Sequence, residues 1–150
     1  MYQTILVPLD GSKRVEAILD HVEDIAKSNN AKVFFLKVEE EPIMLERDEV
    51  IDIVKYHEGF IKQVARSQTY MDDLQTRFYE IGIDAVTQLA YGSVVKAILN
   101  VAAETGADLI AMATHGLSGL ARVSYGSVAA GVLQAADIPI LLIRSGSDKK

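Results

Sequence analysis

Thr4-Ile5-Leu6-Val7-Pro8-Leu9-Asp10-Gly11-Ser12 decides the fold: six residues of nearly unbroken apolar character run into a carboxylate, a turn glycine and a helix-capping hydroxyl. An apolar run of this length without polar alternation reads as a strand covered on both faces, as in a parallel sheet. Immediately afterwards the period changes to about 3.6. Val15, Ile18, Leu19, Val22, Ile25 and Ala26 form one stripe, with Ser12 as the expected N-cap.

The same alternation recurs outward along the chain. Lys32 to Val38, Leu109 to Ala113 and Pro139 to Ile143 are further apolar runs, and Ile83 to Ala90 is a weaker, alternating one suited to a sheet edge. Between them, Phe60, Ile61, Val64, Met71, Leu74, Phe78 and Ile81 form a helical stripe stopped by Gly82. Val94, Val95, Ile98, Val101 and Ala102 follow Ser93 and end before Gly106, while Val128, Val132 and Leu133 follow Ser127. Parallel strands need crossovers, and these are right-handed. The expected fold is therefore α/β, a doubly wound, Rossmann-like five-stranded parallel sheet of order 3-2-1-4-5 with helices on both faces. Glu39 to Tyr56 is expected to be a loop with a short helix on the rim, and residues 145–150 a frayed tail of a single domain spanning residues 1–150.

Composition closes several functional classes. The 150 residues are 49% hydrophobic and 24% charged, which suits one globular domain able to bury roughly 68–70% of its unfolded surface. With no cysteine there is no thiolate zinc site, disulfide or cysteine nucleophile. Lys and Arg number 15 against 21 Asp and Glu, and the resulting charge of −6 opposes binding to nucleic acid. Neither a signal peptide nor a membrane-spanning run is legible, so a cytoplasmic protein is expected.

In a sheet of this order, ligands bind beyond the carboxyl ends of strands one and four, where the winding reverses. Both connections are chemically unusual. The first carries Pro8, Leu9 and Asp10; the second carries Ala113-Thr114-His115-Gly116-Leu117-Ser118-Gly119, then Arg122, then Gly126-Ser127 opening the last helix. Gly116 and Gly119 let backbone approach a ligand, Arg122 offers a cationic contact, and Gly126-Ser127 presents amides and a hydroxyl where the helix dipole favours an anion. The same glycines also read as plain turn and cap residues. His115 fits a phosphate contact or a solvated loop, whereas His21 and His57 lack ligand-spaced partners, so no protein-ligated metal is expected.

Ile5 to Ser12, Ala107 to Ile110, His115 to Leu120, Tyr125 to Val128 and Ile138 to Ile143 together resemble the universal stress protein family over nearly the whole chain. Its ATP-binding branch carries a glycine, two residues, a second glycine, nine residues, then Gly-Ser or Gly-Thr. Counting back from Gly126 puts the second glycine at Gly116 and the first at Ala113, a departure. A methyl there is compatible with ligand approach at negative φ and costly at positive φ. The resemblance implies Pro8, Asp10 and Met112 beside an adenine, with main-chain contacts from Val38. It also implies Ala113, His115 and Gly116 along the ribose and first phosphates, and Gly126, Ser127 and Val128 on the outer phosphates. ATP is the implied ligand, AMP the alternative, with Mg²⁺ on the phosphates. The acidic run Glu39 to Glu41 is expected to direct the base end inward. An edge strand from Pro139 to Arg144 implies a homodimer.

The expected role is regulatory binding in a stress response rather than turnover, with no catalytic residue. No G-x-x-x-x-G-K-[ST] loop or G-x-G-x-x-G fingerprint is present. The rivals are a slow ATPase and a nucleotide-free interaction module, the latter favoured by Ala113. Gly131, within the last helix, costs ~1 kcal/mol against alanine and implies close packing on a neighbour.

Overall fold

Side chains of a strand alternate between faces, so an unbroken apolar run feeds two cores at once. In the computed structural model, which describes residues 1–13, 15–39, 53–115 and 126–145, this is what the strands do. Strands β1 (Thr4–Leu9), β2 (Lys32–Glu39), β3 (Ala85–Tyr91), β4 (Leu109–His115) and β5 (Ile140–Ser145) form one parallel sheet of order β3-β2-β1-β4-β5. Ile5, Val7, Val33, Phe35 and Ala111 point to one face, Leu6, Leu36, Ile110 and Met112 to the other.

The first face is covered by α1 (Leu19–Asn29) and α2 (Ile53–Glu80), whose Phe78 meets Phe35 edge-on at 4.9 Å. The second is covered by α3 (Val94–Thr105) and α4 (Ser127–Ala135). The doubly wound fold and strand order are those expected from the sequence. Asp108 ties the start of β1 in place, its carboxylate accepting the Gln3 and Thr4 N–H groups at 3.0–3.1 Å. Among the described residues no helix is long and apolar enough to cross a membrane.

Four local expectations are corrected. Ser12 does not cap α1: the chain passes through a 3-10 turn, Val15–Ile18, and Ile18 occupies the N-cap position. The helical first turn is 3-10, so the first α1 amides lie too far along the chain for Ser12 to cap; its N–H is donated to Asp10 Oδ1 at 2.8 Å, where the short acidic side chain closes a local turn. Within the segment expected to be a loop with a short helix, residues 53–56 open the long α2 rather than a separate short helix, while 40–52, including Glu40 and Glu41, lie outside the described residues. Ile61 falls off the buried stripe and is 53% exposed, the inward position further along being Ser67. Finally, Ser145 is buried as the last residue of β5 and donates to the Thr114 carbonyl; 146–150 lie outside the described residues.

Gly131 does mark a close approach. A Cβ built there would lie 2.8 Å from Cγ2 of Val95 on α3, a stiff branched side chain. Overpacking costs roughly 1–3 kcal/mol and outweighs the ~1 kcal/mol that alanine gains in helix propensity. Gly131→Ala should therefore lower stability in the wild-type background by about 1 kcal/mol and raise it by about 1 kcal/mol in a Val95→Ala background. Urea unfolding of the four proteins reads both signs; equal signs would remove the contact as the reason for the glycine.

Candidate functional site

Beyond the carboxyl ends of β1 and β4, where the sheet reverses its winding, the backbone opens a cavity of about 270 Å³. Pro8, Leu9 and Asp10 enter from the end of β1, Leu36 and Val38 from β2, and Met112, Ala113 and Thr114 from β4. Val94 and Ile98 at the start of α3 close the side, and Gly126, Ser127, Val128 and Ala129 at the start of α4 form the far wall. Its floor is apolar, since Leu36, Ile98, Met112 and Leu9 are all buried. Its polar groups come from two different elements, exposed Asp10 from the end of β1 and Gly126 and Ser127 from the α4 N-terminus.

The α4 N-terminus has the chemistry of an anion seat. Gly126 occupies the N-cap position with no side-chain cap, at φ 79° and ψ 149°, a conformation essentially reserved for glycine. Its carbonyl accepts the Ala130 N–H at 3.1 Å, so the helix begins there, and among the described residues nothing accepts the first-turn N–H groups. The exposed Ser127 hydroxyl is beside them.

Nine of the residues singled out from sequence line this one cavity: Pro8, Leu9, Asp10, Val38, Met112, Ala113, Gly126, Ser127 and Val128. His115 is the last residue of β4, paired in register with Ser145, rather than part of a loop. Gly116, Gly119 and Arg122 lie outside the described residues. Ala113 lies within β4, and among the described non-glycine residues only Asn30 has positive φ, so the methyl carries none of the strain feared for it.

Sequence reading did not single out Leu36, Val94, Ile98, Thr114 and Ala129. Leu36 could have been found from the strand period, because it precedes Val38 by two and shares its face. Val94 and Ile98 stand four apart on α3 and are indistinguishable from core until the helix is placed.

Glu39 is the main correction at the site. Rather than lining a rim, it is fully buried on the opposite face of the sheet, against α2. Its carboxylate accepts from Lys37 Nζ at 2.8 Å, from Gln63 Nε2 at 2.6 Å and from the Ser67 hydroxyl. Burial works to raise its pKa, but these hydrogen bonds and the Lys37 charge prevail and hold the carboxyl below its ordinary value. Nearby, Tyr70 donates to Glu16 Oε2 at 2.9 Å, and burial together with that carboxylate pushes its phenol well up.

The sequence and the fold both recur among known proteins. Universal stress protein YxiE of Bacillus subtilis is 30% identical over 149 residues, spanning 96% of this chain and 100% of that protein. The structure of MJ0577 from Methanocaldococcus jannaschii superposes with a TM-score of 0.82 at 25% identity over 99% of both chains. An Arabidopsis thaliana universal stress protein family structure with AMP bound shares the fold, with a TM-score of 0.68 at 18% identity over 97% of this chain and 94% of that one. The family model described as the universal stress protein family matches residues 1–144, from ahead of β1 to the penultimate residue of β5 and across every element that builds the cavity, and the chain belongs to that family.

Proposed function

We propose that this protein binds an adenine nucleotide, ATP first and AMP as the alternative, in the cavity between β1, β4 and α4, and that occupancy regulates partner choice rather than feeding turnover. The observation that carries the reading is that three chemistries line one cavity. Asp10 offers an acceptor for an exocyclic amine or ribose hydroxyl, Met112, Val38 and Leu36 offer an apolar bed, and the uncapped α4 amides offer donors for phosphate. An acidic group from the end of β1 and helix N–H groups from α4 admit a nucleotide in one direction only. At about 270 Å³ the enclosed part suits the base and sugar, being just below the roughly 300–1,000 Å³ of pockets for whole drug-sized ligands. The Arabidopsis thaliana structure with AMP bound, a relative in fold, supports the same reading.

Mg²⁺ would enter with the nucleotide on the phosphate oxygens, hard donors of the kind it prefers, while the Ser127 hydroxyl would serve the outer phosphates themselves. A homodimer through the outer edge of β5, from Pro139 to Arg144, completes the proposal: β5 pairs with β4 on one side only, and Ile140 to Ile143 are half-buried within the single chain. A cytoplasmic location without nucleic-acid or membrane partners belongs to the same reading.

The alternative, a dimeric interaction module that needs no nucleotide, draws on Ala113 standing where the ATP-binding pattern has glycine. Calorimetric titration of fully emptied protein separates the two. Saturable binding of ATP at micromolar concentration, one per chain, with light scattering of the same sample giving a dimer, is the expected result. Absence of heat with ATP, AMP and cyclic dinucleotides would leave the interaction module.

A further inference from the structure

The nucleotide reading leaves unexplained why a buried ion pair sits on the sheet face opposite the cavity. Lys37 pairs in register with Leu9, the last residue of β1, so its side chain stands beside the point where the chain leaves the sheet. A lysine at a strand end ordinarily extends its ammonium into water. Here the side chain is only 14% exposed and its ammonium turns to a carboxylate that is 0% exposed, itself fixed by Gln63 and Ser67 of α2. The stem is thereby held across the first connection. Lys37 Cε lies 3.3 Å from where a Cβ on Gly11 would be, and Gly11 has φ 87°. Gly11 sits in the turn closed by Asp10 Oδ1 and the Ser12 N–H, so the surface beneath it helps set where the Asp10 carboxylate points.

We propose that Lys37 is a positioning residue of the cavity: clamped by Glu39, its stem is the surface on which the Asp10–Ser12 turn rests, and it fixes the direction of Asp10 toward the base end of a nucleotide. This rests on the nucleotide reading for its ligand but makes a separate claim about the turn. Neither Lys37 nor Glu39 lines the cavity, so the effect passes entirely through Gly11. Because Asp10 stands at the base end, the effect falls on recognition of the nucleoside and spares the phosphates.

Two double variants isolate the stem from the charge. Lys37→Met/Glu39→Gln keeps the stem's length and removes both charges together; Lys37→Ala/Glu39→Gln removes the stem as well, and neither strands a buried ion without its partner. In the methionine variant, amide exchange at Ser12 and affinity for adenosine should stay within about twofold of wild type. In the alanine variant Ser12 should exchange faster, and adenosine and ATP should both bind about tenfold more weakly, the scale of one lost hydrogen bond to a charged group. The ratio of ATP to adenosine affinity should not change, whereas general slackening of the site would change it. Equal Ser12 exchange in the two variants, or a shift in that ratio, overturns the role of Lys37. Wild-type protein that binds neither adenosine nor ATP overturns the nucleotide reading instead, and the exchange comparison still decides what holds the turn.

Discussion

Gly126→Val should bind ATP at least about a hundredfold more weakly than wild type while still folding. The backbone at Gly126, φ 79° and ψ 149°, is a region in which a side chain costs of order 1–3 kcal/mol. The chain can relieve that cost only by moving the first turn of α4, since Gly126 is its N-cap and accepts from Ala130. The amides of Ser127 and Val128 would then leave the positions from which they reach a phosphate. Two hydrogen bonds to an anion, at roughly 1.5–3 kcal/mol each, correspond to a loss of about a hundredfold or more. Stability falls by the strain alone, which is a minority of the 5–15 kcal/mol typical of a domain and about 2–12 °C in Tm. Ser127→Ala is the control, because it removes one hydroxyl and no backbone freedom; about tenfold weaker binding is expected. Calorimetry and thermal unfolding measured side by side read both effects. Unchanged affinity in Gly126→Val would take the α4 N-terminus out of the site, whatever else the cavity holds.

That this site could be approached from sequence follows from how parallel sheets are built. Each strand of the sheet interior must satisfy two cores, so its apolar run is continuous and visible, and once the order is 3-2-1-4-5 the ligand position follows from topology. Asp10 and Gly126 are legible on local chemistry: a carboxylate ends an apolar strand, and a Gly-Ser pair opens the last helix at the end where an anion is favoured. Residues whose role depends on three dimensions were hidden. Glu39 reads as one of three consecutive glutamates and thus as solvated, and only its register beside Tyr91 and beneath Gln63 and Ser67 reveals a buried acceptor. Polar Gln63 and Ser67 interrupt the apolar stripe of α2, a clue that something polar faces them, but periodicity cannot say what. Ser12 misled because the apolar stripe runs without a break from Val15, whereas its first turn is 3-10 and moves the start of the α-helix on to Leu19, out of reach of a cap at Ser12.

Removing that buried acceptor should cost as much stability as truncating a core aromatic. Glu39→Ala leaves the Lys37 ammonium enclosed without its carboxylate and deprives Gln63 and Ser67 of their acceptor. Breaking a buried pair from one side costs about 3–5 kcal/mol, or about 6–20 °C in Tm for a chain of this size. Glu39→Gln keeps the shape and should lose less, and Lys37→Met/Glu39→Gln should recover stability, since two neutral side chains carry no desolvation penalty. The pH dependence distinguishes an ionised Glu39 from a merely well-packed one. Its pKa in the folded chain is lowered, because the donors from Lys37, Ser67 and Gln63 outweigh burial, so between that value and the ordinary carboxylate value the unfolded chain binds more protons. Stability from Glu39 is then complete above the ordinary value, about 4.3, and disappears as pH falls through the folded value. Urea unfolding from neutral pH down into the acid range should show wild type losing stability more steeply than Glu39→Gln below about pH 5. Parallel curves would mean that the carboxyl gains nothing from ionisation in the fold, and the ion pair would then have to be regarded as packing alone.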